Sequence, residues 1–154
     1  MVEQPDGTTK RYYWAELATA VVVVAVQDGS VVFVEQYRPT VRETQFELPA
    51  GVVEAGESFT AAAERELAEE TGFAAGSTAL LQDFWVATGL LRHRRGFVFA
   101  TDLEPVEPDL DDNEFLSVRS VPVGEALDVA RSQPTNDATL EGILLAREDE
   151  FLPE

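Results

Sequence analysis

The sequence predicts an α+β fold in which helices sandwich a mixed central β-sheet. Segments with strand character and segments with helical spacing follow one another without a regular alternation. Apolar residues make up 45% of the chain, and nine phenylalanines are available to fill a core. No repeat, linker or shift in composition divides the 154 residues, so we expect one domain over residues 1–154.

The first predicted element is a β-hairpin. Residues 17–26 form an apolar run of mostly valine and alanine, and residues 31–37 are apolar again. Asp28 and Gly29 stand between them, a pair typical of tight turns between antiparallel strands. We expect two buried strands that turn at this dipeptide. Proline and glycine within residues 49–51 then predict a strand end or a tight loop.

A helix is predicted from Ser58 to Thr71. Ser58 is a suitable N-cap, because its hydroxyl can accept a hydrogen bond from a backbone N–H of the first turn. Gly72 stands at the position where a left-handed residue ends many helices. The signals at the two ends therefore agree.

The second half of the chain is predicted to add strands and to end in helices. Leu140, Ile143 and Leu144 share one stripe of the last helix, and Asn136 or Asp137 caps it. The predicted strands cover residues 80–86, 96–101 and 115–121, an exposed acidic loop covers 104–112, and the helices cover 123–131 and 137–147.

The charge of the chain is strongly negative. Acidic residues number 29 against 11 basic ones, which gives a formal net charge of -18, and Lys10 is the only lysine. This balance disfavours nucleic-acid binding through a broad basic face. Self-repulsion of this size is screened at high ionic strength, so we interpret the composition as that of a halophilic protein. The alternative is an ordinary acidic, soluble enzyme.

The sequence favours a cytoplasmic protein without membrane segments. Residues 1–10 lack a basic and then apolar leader, and the apolar run over residues 17–26 is far shorter than the roughly 20 residues that span a bilayer. The chain has no cysteine, which excludes thiolate metal sites and cysteine nucleophiles. Any metal must therefore be held by oxygen ligands or by His93.

Two glutamates of the predicted helix stand inside its apolar stripe, and a third stands at the edge of the stripe. With Phe59 as zero and about 100° per residue, Leu67 lies near +80°, Glu66 near -20° and Glu70 near +20°, and Glu69 lies at the edge of the stripe. Partly buried carboxylates this close together need a cation or protons. Such a set suits Mg²⁺ or Mn²⁺, with substrate phosphates as further ligands. The alternative is an ordinary acidic helix surface.

The segment from Gly51 to Phe73 resembles the Nudix box. Five residues separate Gly51 from Glu57, seven more separate Glu57 from Arg65, and the motif then closes with the run RELAEETGF. Every defining position is filled, which makes chance agreement improbable. The resemblance implies a Nudix-type α/β/α sandwich and a hydrolase that cleaves a diphosphate linkage with Mg²⁺, or Mn²⁺, as cofactor.

The resemblance also implies the roles of the site residues. Arg65 orients the glutamates by ion pairing, and Glu66 and Glu69 belong to the catalytic set. Gly51 allows a tight loop. The implied metal ligands are the Ala50 carbonyl and the carboxylates of Glu57, Glu66, Glu69 and Glu70.

Sequence on both sides of the box resembles the ADP-ribose pyrophosphatase branch of the family, in residues 35–39, 46–51 and 136–139. This resemblance implies that Arg38 contacts a substrate phosphate and that Glu47 belongs to the substrate site. It implies a homodimer and a catalytic base in an acidic loop, with Glu114 first and Asp112 second. The alternatives are a surface ion pair for Arg38 and a solvated loop for the two acids.

Two other clusters leave alternatives open. The arginines of residues 92–95 bind a phosphate-bearing substrate or a partner, or they pair with carboxylates at a hairpin end. The aromatic residues 12–14 stack on a base, or they pack in the core or in a dimer interface.

The expected reaction is hydrolysis of a nucleoside diphosphate linked to another group, with ADP-ribose giving AMP and ribose 5-phosphate. The alternatives are another nucleotide substrate, such as a nucleotide sugar, a dinucleotide or an oxidised nucleoside triphosphate, and a non-catalytic nucleotide sensor. A sensor is disfavoured, because the box is intact.

Overall fold

The computed structural model describes residues 1–109, 116–132 and 134–153. Within these ranges the chain forms eleven strands and three helices. In chain order they are β1 (Val2–Glu3), β2 (Thr9–Lys10), β3 (Ala15–Glu16), β4 (Ala20–Gln27), β5 (Ser30–Arg38), β6 (Glu43–Glu47), β7 (Ala50–Val52), α1 (Phe59–Thr71), β8 (Phe73–Trp85), β9 (Leu91–Arg92), β10 (Arg94–Pro105), β11 (Leu116–Pro122), α2 (Ala126–Arg131) and α3 (Asp137–Glu148).

The centre of the fold is a seven-stranded sheet with the order β11-β5-β4-β10-β8, in which β6 also pairs with β5 and β7 with β4. Strands β4 and β10 run parallel, whereas the other pairs of this sheet are antiparallel. The prediction of a mixed sheet is therefore confirmed. The described residues also form two small two-stranded sheets, β1-β2 and β3-β9.

Strand β4 shows how the sheet separates two cores. Its side chains alternate between the two faces, as a pleated strand requires. Val22 and Val24 pack in the cluster that contains α2 and α3. Val21, Val23 and Ala25 pack in the cluster that contains α1. The sheet thus lies between α1 on one face and α2 with α3 on the other, and the predicted α/β/α sandwich is confirmed.

The hairpin and the first helix follow their sequence signals. Asp28 and Gly29 adopt φ values of 49° and 75°, the left-handed conformation that a tight turn between β4 and β5 needs. The Ser58 hydroxyl accepts a hydrogen bond from the Ala61 N–H at 3.1 Å. Gly72 ends the helix with φ 70°. These three predictions are confirmed.

In the second half of the chain, the bounds of several elements and the buried face of the last helix differ from the prediction. Strands β8 and β10 are longer than expected, and the start of the predicted acidic loop belongs to β10. Helix α2 is only six residues long.

Leu144 is 48% exposed, so its assignment to the inner stripe of α3 was wrong. Ile143 is fully buried, as predicted, and small residues such as Gly142 share its buried face. A β-carbon on Gly142 would lie only 2.7 Å from a methyl carbon of Leu48. The cap of α3 is Asn136, as one alternative predicted.

No helix in the described part of the chain is both long and apolar enough to cross a membrane.

Candidate active site

Helix α1 presents Glu66 and Glu70 on the face that packs against the sheet. Glu70 is 4% exposed and shares that face with the fully buried Leu67. The Glu66 side chain is 14% exposed, whereas that of Glu69 is 39% exposed. The prediction that Glu66 and Glu70 interrupt the apolar stripe is confirmed, as is the position of Glu69 at its edge.

Arg65 connects three carboxylates through one guanidinium group. Its Nη1 donates to Glu66 at 2.8 Å and to Glu69 at 3.0 Å. Its Nε and Nη2 donate to the two oxygens of Glu57 at 3.2 and 3.1 Å, and Nη2 also donates to the Val52 carbonyl at 2.8 Å. The planar fork of arginine suits this task, since it offers five donors in fixed directions. Arg65 therefore fixes the relative positions of the carboxylates.

The same contacts shift the acidity of the groups. Burial raises the pKa of Glu66, and this effect outweighs the opposing hydrogen bond from Arg65. The hydrogen bond from Arg65 lowers the pKa of Glu57. The hydrogen bond to Glu57 is in turn the largest cause that raises the pKa of Arg65. Arg65 thus stays charged, and burial disfavours the ionised form of Glu66 in spite of its hydrogen bond from Arg65.

Strand β7 forms the opposite wall of the site. The Ala50 N–H donates to Oε2 of Glu70 at 3.1 Å. A β-carbon on Gly51 would overlap the carboxyl group of Glu66. Gly51 lies in the strand and outside the left-handed region, so the expectation that it allows a tight loop was wrong. Glycine is needed here because the Glu66 carboxylate approaches the backbone closely.

A polar cavity of about 440 Å³ lies between α1 and β7, and Glu57 is not among the residues that line it. The atoms that could ligate a metal in this cavity are carboxylate and backbone oxygens, and Mg²⁺ and Mn²⁺ prefer such ligands. In the described residues no three carboxylates already converge as a metal cage, since Arg65 holds Glu57, Glu66 and Glu69 towards itself. Mg²⁺ usually keeps several waters and takes only a few carboxylates, so the residues fit this ion without a closed cage. The lining residues are Ala50, Gly51, Val52, Glu54, Arg65, Glu66, Glu69, Glu70 and Asp109.

Asp109 is a cavity residue that sequence analysis did not single out. Its backbone N–H donates to the Glu69 carbonyl at 3.1 Å, which holds the segment after β10 against the end of α1. The sequence placed Asp109 in an acidic loop, but nothing in the sequence separated it from its acidic neighbours. The two predicted bases, Asp112 and Glu114, lie outside the described residues, so their assignment stays a prediction.

Arg38 and Glu47 form an ion pair at the ends of β5 and β6. The Arg38 Nε donates to both Glu47 oxygens, at 3.1 and 3.0 Å. Glu47 is 1% exposed and the Arg38 side chain is 38% exposed. The alternative of an ion pair for Arg38 is thus observed, although its partner is buried. Contact of either residue with substrate stays a prediction.

The arginines of residues 92–95 pair with nearby carboxylates, as one alternative predicted. Arg92 contacts Glu16 at 3.7 Å, and Arg94 contacts Asp83 at 2.6 Å. Arg95 contacts Asp137 and Glu141 at 3.3 and 3.4 Å. The Nδ1 of His93 lies 2.7 Å from the Ala18 carbonyl oxygen.

The aromatic residues 12–14 are 45%, 76% and 53% exposed, so the alternative that they pack in the core was wrong.

Comparison with known proteins agrees with this architecture. A family model described as the NUDIX domain matches residues 16–142. The chain is 34% identical to the ADP-ribose pyrophosphatase of Bacillus subtilis over 140 residues, which are 89% of this chain and 76% of that protein. It is 31% identical to the methanol dehydrogenase activator of Bacillus methanolicus, again over 140 residues and with coverage of 89% and 76%.

A solved structure shows the same fold over nearly the whole chain. The crystal structure of an ADP compounds hydrolase superposes with a TM-score of 0.85 at 26% sequence identity. The match covers 95% of this chain and 80% of the other.

Proposed function

Since this chain belongs to the Nudix family and is a Nudix diphosphatase, we propose that it hydrolyses ADP-ribose to AMP and ribose 5-phosphate. The observation that carries the proposal is the polar cavity in which Glu66, Glu69 and Glu70 face the backbone of Ala50. The ADP-ribose pyrophosphatase and the ADP compounds hydrolase among the similar proteins support an ADP-linked substrate.

Nudix hydrolases generally use divalent metal ions, and we propose Mg²⁺ for this chain, with Mn²⁺ as the alternative. Glu66, Glu69, Glu70 and the Ala50 carbonyl would hold the ion, with Glu57 as a further ligand. A bound divalent ion neutralises the diphosphate and lowers the pKa of water.

The residues of the chain itself supply binding and orientation. Arg65 keeps the Glu66 and Glu69 carboxylates in fixed positions. The Ala50 N–H fixes one oxygen of Glu70. Arg38 offers a permanent positive charge to a phosphate oxygen in a strongly acidic protein. A fixed frame of charges of this kind stabilises developing negative charge without reorganisation during the reaction.

A substrate panel tests the proposal. The purified protein is incubated with ADP-ribose, an ADP-sugar, a dinucleotide and an oxidised nucleoside triphosphate, each with Mg²⁺, Mn²⁺ or a chelator. We expect the highest kcat/KM for ADP-ribose with Mg²⁺, AMP as product and no turnover with the chelator. A higher kcat/KM for another compound assigns that substrate instead, and turnover in the presence of chelator contradicts the metal proposal.

Glu70→Gln tests the metal site in the same assay. The substitution keeps the shape of the side chain and removes its charge, so we expect kcat to fall by about a hundredfold or more. Glu64→Gln is the matched control, because Glu64 lies on the same helix but outside the cavity lining, where its carboxylate accepts a hydrogen bond from the Thr78 hydroxyl at 2.9 Å. Equal activity of Glu70→Gln and wild type would contradict the assignment.

Homodimerisation stays a prediction that rests on the branch resemblance. Light scattering measures it directly, and a mass of about 16.9 kDa at all concentrations would contradict it.

A further inference from the structure

Glu47 is a buried carboxylate that the proposed reaction does not yet use. It ends strand β6, and only 1% of it is exposed. The Arg38 Nε donates to its two oxygens at 3.1 and 3.0 Å, and Nη2 donates to Oε2 at 2.5 Å. A carboxylate this deeply buried has no open surface to offer a substrate, so its visible role is to bind the guanidinium.

This pair restricts the orientation of Arg38. A buried ionised carboxylate is costly unless a hydrogen-bonded cation compensates it, which makes the paired arrangement strongly preferred. Three bonds to one carboxylate also fix the plane of the guanidinium. The Arg38 side chain is nevertheless 38% exposed. Arg38 is therefore held by Glu47, and part of its side chain is still accessible to a ligand.

The backbone on both sides of Glu47 is fixed by the segment that begins α3. The Phe46 N–H donates to the Pro134 carbonyl at 3.0 Å, and the Thr135 hydroxyl donates to the Phe46 carbonyl at 2.8 Å. The Leu48 N–H donates to the hydroxyl oxygen of Thr139 at 3.1 Å. Glu47 thus stands on a backbone that is tied at the preceding and at the following residue.

The same backbone leads directly to the carboxylate site. Ala50 follows Glu47 by three residues, so their Cα atoms lie no more than about 11 Å apart. The Ala50 N–H binds Glu70 at 3.1 Å. One short segment therefore fixes both the arginine, through Glu47, and a carboxylate of the cavity, through Ala50.

From this geometry we infer that Glu47 is a positioning residue, which holds the Arg38 guanidinium in the direction of a substrate phosphate and does not contact the substrate. The inference rests on the proposed function, because it needs a substrate that carries a diphosphate. Thr135 and Thr139 support it by fixing the β6 end.

The first test needs no substrate. NMR relaxation of the Arg38 Nε–H bond is compared between wild type and Glu47→Gln. Asp83→Asn is the control, because it removes the carboxylate partner of a different arginine, Arg94. We expect an order parameter near 0.85 in wild type and in the control, and a value below about 0.6 in Glu47→Gln. Equal order in wild type and Glu47→Gln overturns the inference.

The second test is a double-mutant cycle of kinetics on the best substrate of the panel. Glu47→Gln alone is expected to lower kcat/KM by about ten- to a hundredfold, mainly through KM, and Glu47→Asp, which keeps the charge, to restore part of it. In an Arg38→Lys background, Glu47→Gln should cost no more than about another twofold.

The outcomes of the cycle separate two failures. If the losses multiply, Glu47 acts independently of Arg38 and the inference is wrong. A failure of the proposed function looks different, since wild type then hydrolyses none of the panel compounds while Arg38 still loses its order in Glu47→Gln. Thermal melting of Glu47→Asp and Arg38→Lys shows that the comparison is made on folded protein.

Discussion

The carboxylate of Glu66 lies so close to the Cα of Gly51 that a β-carbon at position 51 would occupy its place. Helix α1 and strand β7 therefore meet at a point where no side chain larger than hydrogen fits. This contact joins the first residue of the 51–73 motif to a glutamate of its helix.

Gly51→Ala should reduce activity far more than stability. The added methyl group displaces the Glu66 carboxylate from its place beside Arg65, and a displacement of about 1 Å costs roughly a hundredfold in rate. We expect kcat to fall by about that factor, measured with the best substrate, while the melting temperature changes by only a few degrees. Gly124→Ala is the control, because no atom lies within 4 Å of its β-carbon position. Full activity of Gly51→Ala would contradict the described packing.

Arg65→Lys should lower activity although it preserves the charge. Lysine cannot bind Glu57, Glu66 and Glu69 at once with fixed geometry, so the carboxylates lose their common anchor. Loss of such a supporting contact typically costs about ten- to a hundredfold in activity or metal affinity, and steady-state kinetics with a titration of Mg²⁺ measures both. Arg119→Lys is the matched control, because Arg119 pairs with Glu35 at the surface. Equal losses in the two variants would show that the multiple contacts of Arg65 have no special role.

Thr139→Val should destabilise the fold. The substitution keeps the shape of the side chain but leaves the Leu48 N–H, now bonded to the hydroxyl oxygen, without its acceptor. We expect a loss of about 1–3 kcal/mol in the free energy of unfolding, measured by urea denaturation. Thr139→Ser retains the hydroxyl and should lose less. If the valine variant is as stable as wild type, the hydrogen bond contributes nothing to the attachment of α3.

Salt should raise the melting temperature if the net charge of -18 reflects adaptation to high salt. The Debye length falls from about 10 Å at 0.1 M to about 3 Å at 1 M, which removes most repulsion between exposed carboxylates. We expect an increase of about 5 °C or more between dilute buffer and 1 M KCl, measured by differential scanning fluorimetry. NaCl should give the same shift, because screening depends on ionic strength. Identical melting temperatures in dilute buffer and in 1 M KCl would refute the halophile interpretation.

Local sequence determined those turns and helix ends whose conformation depends on residues only a few positions apart. The turn at Asp28 and Gly29 was predictable because both residues tolerate the left-handed conformation. The ends of α1 were predictable because Ser58 and Gly72 satisfy backbone groups of the adjacent turns. The burial of Glu66 and Glu70 followed from helical geometry, which fixes the face on which a residue lies.

The tertiary structure alone decided which residues from distant segments meet. No local pattern indicated that Glu47 is buried against Arg38, that Thr139 binds the Leu48 N–H, or that Asp109 lines the cavity. The exposure of Leu144 was also not predictable from the sequence, because helical spacing defines an apolar stripe but does not say how much of that stripe the sheet covers.

Sequence by itself thus determined the fold class, the family and the helix that carries the glutamates, since these depend on periodicity and on a contiguous motif. The tertiary structure decided why Gly51 must be glycine and what surrounds Arg38. Both depend on the close approach of separate segments, and such distances are set by packing between the sheet and its helices.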